Sequence, residues 1–259
     1  MRKIIFLLLL TIFLLTGCGD DWNKKETLII GLDDNYAPFG FRDDQGRLIG
    51  FDIDLANEVA SRMGVKFEFK PIDWDNKREE ITSGKVDMIW NGLDIVEERK
   101  EYMIFTKPYM DNRQILLVKQ ENDFNFYSKY DLAGKIVGTQ AGSNSEQYVN
   151  EDKKLKDSLA EFKTYPNVKE EFAALIDGQC DVLIIDELAA RYEMNRNPNK
   201  FKFIEVTVGE ATEIGIGFDK NNVALRDKVQ KVFGEMTADG TARKISLKWF
   251  DADLVKSHR

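Results

Sequence analysis

Histidine is almost missing from this 259-residue sequence, and the one copy, His258, is the penultimate residue. That excludes the Ser-His-Asp and Cys-His catalytic arrangements and an imidazole-based zinc site, unless the terminus itself supplies the ring. Cysteine is as scarce: Cys18 and Cys180 are the only two. No paired-cysteine motif and no Gly-Lys-Ser/Thr phosphate loop occurs, so neither a metal nor another cofactor is expected. Basic charge is short as well, 37 Lys+Arg against 45 Asp+Glu, a net −8. An acidic chain lacks the face that phosphate neutralisation needs, so no nucleic-acid partner is expected. What remains is an ordinary globular mixture, 43% hydrophobic and 32% charged, with length for one large or two modest domains.

The N-terminus has its own pattern. Arg2 and Lys3 precede the apolar run Ile4 to Leu15, which falls short of the roughly 20 residues that span a bilayer. A basic start, a short apolar core and small residues after it describe a secretory signal. Leu15-Thr16-Gly17-Cys18 resembles a bacterial lipobox. The resemblance implies cleavage before Cys18, lipid attachment at that residue, and a chain held at the membrane surface outside the cytoplasm. Losing residues 1–17 removes Arg2 and Lys3 and no acid, which takes the balance from −8 to −10. Residues 18–26 read as a polar tether. With Cys18 acylated, Cys180 has no disulfide partner; ahead of Val182-Leu183-Ile184-Ile185, it reads as a small buried hydrophobe.

The mature chain alternates strand and helix patterns. Leu28–Leu32 reads as a buried strand, and Phe51–Met63 as a helix with Leu55, Val59 and Met63 on one face, acids in its first turn and Gly64 after its end. Val65–Lys70 alternates as a half-buried strand, Glu79–Ser83 as a helix stopped by Gly84, and Val86–Trp90 as a strand. The β-α-β-α-β order predicts a parallel sheet covered by helices. A second set begins near Leu116. It has strands at Lys135–Thr139 and Asp181–Ile185, one polar helix over Ser145–Lys156, a helix over Val168–Ile176, and a loop at Asn195–Lys200. Glu213–Phe218 reads as one more strand, and Val223–Met236 and Thr241–Trp249 as closing helices split at Ala238-Asp239-Gly240.

Three stretches carry candidate chemistry. The first is Asp33-Asp34-Asn35-Tyr36-Ala37-Pro38-Phe39 with Gly50-Phe51-Asp52-Ile53-Asp54-Leu55. The second is Trp90-Asn91-Gly92-Leu93-Asp94-Ile95-Val96-Glu97-Glu98-Arg99, running on to Phe105-Thr106-Lys107-Pro108-Tyr109. The third joins Val137-Gly138-Thr139-Gln140-Ala141-Gly142-Ser143-Asn144 to Asp181-Val182-Leu183-Ile184-Ile185-Asp186-Glu187. In order and spacing they resemble the polar amino-acid-binding solute receptors, family 3, of ABC importers, and Asp239-Gly240-Thr241 through Lys248-Trp249-Phe250 resembles that family's C-terminus.

The resemblance implies an α/β fold of the type II periplasmic-binding kind: two lobes, each a mainly parallel sheet flanked by helices, joined by two hinge strands. The expected division is 27–111 with 210–259 for one lobe and 112–209 for the other. It also implies an amino acid ligand, an ABC importer permease as partner, a lipid-anchored location and no catalysis; a monomer is expected. A free amino acid presents a carboxylate, an ammonium and a side chain, and the matched residues suit each. Arg99 offers two parallel N–H donors to a carboxylate. Ser143 and Asn144 open a helix whose free N–H groups favour the same anion, and Ser and Asn are also ordinary caps. Asp186, after an apolar strand, suits the ammonium, with the Gly92 carbonyl beside it. Tyr36 and Trp74 would wall the side chain, Asp33 and Gln140 would read it, and Asn91 lies in the same loop. Asp94 departs from the family's usual Thr or Ser: ionised, it would repel a carboxylate. It therefore turns away as a local cap or meets a cation. Some members of the wider group are cyclohexadienyl dehydratases, for which Asp33, Asp94 or Glu213 would be the general acid; presentation of a ligand to a sensory partner is a further alternative.

Overall fold

The computed structural model describes residues 25–257. The expected signal segment, Cys18, most of the tether and His258 lie outside them. Among the described residues no helix is long and apolar enough to cross a membrane.

The chain opens with strand β1 (Thr27–Leu32), whose Leu28, Ile30 and Leu32 are fully buried. Each such side chain stabilises the fold by about 1.5–3 kcal/mol. A small hairpin sheet follows, β2 (Asn35–Tyr36), β3 (Gly40–Arg42) and β4 (Leu48–Ile49). Helix α1 (Phe51–Met63) packs Leu55 and Val59 inward and stops at Gly64, whose left-handed φ of 68° few other residues adopt readily. Strand β5 (Lys66–Pro71) runs parallel to β1, with Leu28 beside Phe67. After a 3₁₀ turn at Trp74–Asn76 come α2 (Lys77–Thr82), β6 (Met88–Ile89), α3 (Glu97–Lys100) and β7 (Met103–Phe105).

Strand β8 (Met110–Lys119) leads into a second set: β9 (Ile136–Gln140), α4 (Asn144–Glu151), α5 (Lys153–Ser158), β10 (Glu161–Tyr165), α6 (Val168–Ile176), β11 (Val182–Asp186) and α7 (Glu187–Arg196). The long β12 (Phe201–Ile214) returns beside β8, and β13 (Gly217–Asp219), α8 (Val223–Ala238) and α9 (Thr241–Phe250) complete the chain.

Two five-stranded sheets result, in the orders β5-β1-β6-β13-β7 and β10-β9-β11-β8-β12. Each is mixed: four strands run in one direction, three of them parallel neighbours as the βαβ order requires, and β13 in one sheet and β8 in the other run against them. The α/β fold with two lobes is as expected. Among the described residues Cys180 is a free cysteine, buried in the core.

Three segment expectations need correction. Ser145–Lys156 is two helices, because Asp152 leaves helical geometry and its carboxylate caps α5 by accepting the Leu155 N–H at 3.0 Å. Glu213–Phe218 is no single strand: it ends β12 in one sheet and begins β13 in the other. Of Val86–Trp90 only Met88–Ile89 pairs as strand.

Candidate functional site

The loop after β6 supplies one wall of an interlobe crevice, and a buried acid fixes its shape. Gly92 sits at φ 57°, and a Cβ there would stand 2.8 Å from the Tyr36 ring, so the backbone passes where only glycine fits. Its N–H donates to Asp52 Oδ2 at 2.6 Å, and the Tyr109 hydroxyl donates to the same carboxylate at 2.9 Å. Burial pushes the Asp52 carboxyl up to about 7, against the pull of the Gly92 N–H. This acid therefore does more than punctuate α1. Further along, the Ile95 N–H donates to the Glu213 carbonyl and the Gly215 N–H to that of Leu93, stitching the loop to the end of β12. That seam presents Asp94 inward and starts α3, whose Arg99 is only 3% exposed although its neighbours Glu97 and Lys100 face solvent.

Arg99 Nη1 donates to the Asp94 carbonyl at 2.9 Å, and Nη2 reaches across to the Gly142 carbonyl at 3.5 Å. The facing wall begins there. Gln140 ends β9, Gly142 turns at φ 68°, and Ser143 caps α4, its Oγ accepting the Glu146 N–H at 3.1 Å. The turn is pressed against the first lobe, since a Cβ on Gly142 would lie 2.8 Å from the Asp75 Cα. Lys77 crosses the same gap: its Nζ donates to the carbonyls of Gly142 (2.7 Å) and Trp74 (3.1 Å). Burial, helped by the Arg99 charge, brings the Lys77 amine down to about 7.

Asp186, at the end of β11, receives hydrogen bonds from the Tyr36 hydroxyl and the Asn112 and Gln114 amides. Asp94 is held as firmly. Its Oδ1 accepts from Asn112 Nδ2 (2.9 Å) and Thr212 Oγ1 (2.7 Å), and its Oδ2 from Asn144 Nδ2 (2.6 Å). Of the two alternatives for Asp94, turning away as a local cap does not hold: it points inward and ties β8, β12 and the start of α4 together. Burial and the Asp186 charge raise its carboxyl to about 7, while Arg99 opposes them.

The crevice is nearly closed, with a cavity volume of about 20 Å³. Tyr36, Trp74, Gly92, Asp94 and Arg99 line it on one side, and Gln140, Ser143, Asn144 and Asp186 on the other. Two expected residues stand behind the lining. Asn91 is fully buried and accepts the Asp33 N–H at 3.0 Å. Asp33 accepts from Gln140 Nε2 at 2.8 Å and from the Asn35 N–H at 2.9 Å, and burial raises its carboxyl to about 6. Glu213 lies outside, paired with Lys256. Two contributors escaped the sequence reading: Gln114, which lines the crevice, and Lys77, which spans its edge. A buried lysine carries no signal in the chain, and Gln114 belongs to a strand not read at its start.

Geometrically, one fixed guanidinium, Arg99, and two carboxylates, Asp94 and Asp186, share a crevice whose walls come from different sheets, bridged by side chains reaching both ways. Comparison with known proteins adds to this. The sequence profile of the bacterial extracellular solute-binding proteins, family 3, matches residues 28–252. The chain is 31% identical over 233 residues to the L-cystine-binding protein TcyJ of Escherichia coli K12, covering 90% of this chain and 86% of that one. It is 32% identical over 263 residues to the lysine/arginine/ornithine-binding periplasmic protein of the same organism, covering 98% and 99%. Among solved structures, an ABC uptake transporter substrate-binding protein from Streptococcus pneumoniae with bound histidine superposes with a TM-score of 0.86. The two are 33% identical over 92% of this chain and 99% of the other.

Proposed function

The chain belongs to the bacterial extracellular solute-binding proteins of family 3, and on that premise we propose that it is a lipid-anchored receptor that takes a polar or charged L-amino acid from outside the cell and hands it to an ABC importer permease. The family is one of solute-binding proteins rather than enzymes. The ligand class is supported by the relatives, whose names specify cystine, histidine and lysine/arginine/ornithine.

The observation that carries the reading is Arg99 and Asp186 in one crevice, a cationic and an anionic anchor on walls from different sheets. The guanidinium holds the ligand carboxylate through two N–H donors, joined by the N–H groups at the start of α4. Asp186 takes the ammonium in exchange for its present amide and hydroxyl donors. Tyr36 and Trp74 cover the side chain. The lobes, residues 27–111 with 210–259 and residues 112–209, close around it because each contributes one anchor, so the ligand favours the closed state by its differential contacts. Cys18 bears the lipid and residues 18–26 give the tether its reach.

Melting of the mature protein with each of the twenty amino acids tests this. A ligand at 100 times its Kd adds about 2.7 kcal/mol of stability, and Arg99→Ala at the same ligand concentration shrinks the shift sharply. Absence of any shift, or an equal shift in Arg99→Ala, refutes the reading.

A further inference from the structure

The segment after α9 folds back over the molecule. Helix α9 stops at Asp251, which turns at φ 54° with its N–H on the Leu247 carbonyl at 3.1 Å. The fully buried Ser246 fastens the return: its hydroxyl donates to the Ala252 carbonyl at 2.7 Å and accepts the Leu254 N–H at 2.9 Å. Leu254 and Val255 pack on the core, and the Lys256 N–H donates to the Tyr109 carbonyl at 2.9 Å. Residues 251–256 thus form a strap tied down at both ends. At its start it is held through α9, which packs on α1 and α8, helices that cover the first sheet.

The strap ends on the ribbon that joins the two sheets. The chain leaves the first sheet between β7 and β8 and returns between β12 and β13, so β8 and β12 carry both crossings. They pair antiparallel there, Asn112 opposite Thr212 and Asp111 opposite Glu213. Successive residues of a strand face opposite sides. On the crevice side Asn112 and Thr212 both donate to Asp94. On the other side Asp111 and Glu213 both pair with the Lys256 ammonium, the first at 2.6 Å. Two acids directly opposite on neighbouring strands repel, and this pair is tolerated because one cation bridges it. The ribbon is therefore gripped on both faces, by Asp94 from the loop after β6 and by Lys256 from the strap. Tyr109 links the strap to the site: its carbonyl takes the Lys256 N–H, and its hydroxyl holds the Asp52 carboxyl that fixes Gly92.

Resting on the receptor reading above, we propose that residues 251–256 are a hinge strap, with Lys256 the positioning residue that holds the β8–β12 ribbon in the twist of the closed form. On that reading the lobes swing about these two strands. The clamp is made in a conformation whose crevice is nearly closed. Opening retwists the ribbon and moves Asp111 and Glu213 against an ammonium whose backbone is fixed. Contacts that differ between the two forms bias the equilibrium between them, so the strap favours closure without touching the ligand.

Lys256→Met, Lys256→Arg, and Lys256→Met combined with Asp111→Asn and Glu213→Gln test this. Lys256 keeps 26% of its side chain in solvent, so methionine fits in its place. One readout is calorimetric titration with the amino acid that stabilises the wild type on melting. The other, without ligand, is hydrogen–deuterium exchange of the backbone amides of 110–114 and 210–216. Lys256→Met should weaken binding about three- to tenfold, the scale of two partly exposed ion pairs, and speed exchange in the ribbon. Lys256→Arg should stay near wild type in both, and neutralising the two acids should recover much of what methionine loses. A segment that served stability alone would lower the urea midpoint of Lys256→Met and leave affinity unchanged, so unchanged affinity overturns the proposal. Unchanged ribbon exchange overturns it as well. If wild type and Lys256→Met bind equally, the strap falls and the receptor reading survives; if no amino acid binds wild type, both fall.

Discussion

Replacing Asp52 by Asn should leave the protein about as stable as wild type in acid and make it more stable near pH 8. Asp52 is 1% exposed, takes the Gly92 N–H at 2.6 Å and the Tyr109 hydroxyl at 2.9 Å, and keeps its proton up to about pH 7. In the unfolded chain the same carboxyl titrates at 3.8. Between those values the folded state binds more protons than the unfolded one, so stability falls as pH rises through the window. Each unit of difference corresponds to 1.36 kcal/mol, so this one group removes about 4 kcal/mol in going from pH 4 to pH 8. An amide imitates the neutral acid, its carbonyl accepting from Gly92 and its NH₂ donating to the Tyr109 oxygen. It has no proton to lose. Urea denaturation of both proteins at pH 4 and pH 8 measures the difference, and other titrating groups cancel between them. The gap should widen in favour of Asp52→Asn by about 3–4 kcal/mol. A gap that does not change with pH would mean that Asp52 is ionised throughout, and the reasoning fails.

Two further outcomes follow from the same geometry. Gly92→Ala puts a side chain on a left-handed residue and 2.8 Å from Tyr36; it should lose about 1–3 kcal/mol in urea denaturation and weaken binding of whichever amino acid stabilises wild type. Lys77 titrates near 7 when folded and at 10.5 when unfolded, so the folded state binds fewer protons above pH 7 and wild-type stability rises with pH there. Lys77→Met should lack that rise, worth about 2 kcal/mol between pH 7 and pH 9, as denaturation curves at the two values will show.

Much of the fold is legible where one physical signal acts alone. The ends of α1 and α6 follow from apolar spacing with punctuation at Gly64 and Gly178, and both helices run as the pattern says. Reading fails where a periodic pattern outlives its element. Ile214, Ile216 and Phe218 alternate without interruption and are all fully buried, yet they lie on either side of the passage from one sheet to the other. Alternation reports burial, and burial is the same in both sheets. The split between α4 and α5 was hidden for another reason: Asp152 is a helix cap by chemistry, but nothing local says that the preceding helix must end there. In the site, Arg99, Asp186, Tyr36 and Ser143 could be placed by motif. Asp94 could be flagged as unusual but not oriented, because its partners Asn112, Thr212 and Asn144 come from three distant elements.

On the receptor reading, Arg99 holds the ligand's α-carboxylate while Asp186 holds its ammonium. The most direct measurement is a calorimetric titration of wild type and Arg99→Ala with the amino acid that binds and with the same molecule lacking its α-carboxylate. Loss of the carboxylate should weaken binding to wild type by about a hundredfold or more, the scale of breaking a buried charge pair, and should barely matter in Arg99→Ala. An equal penalty in both proteins would show that the carboxylate is held elsewhere, and the account would be contradicted.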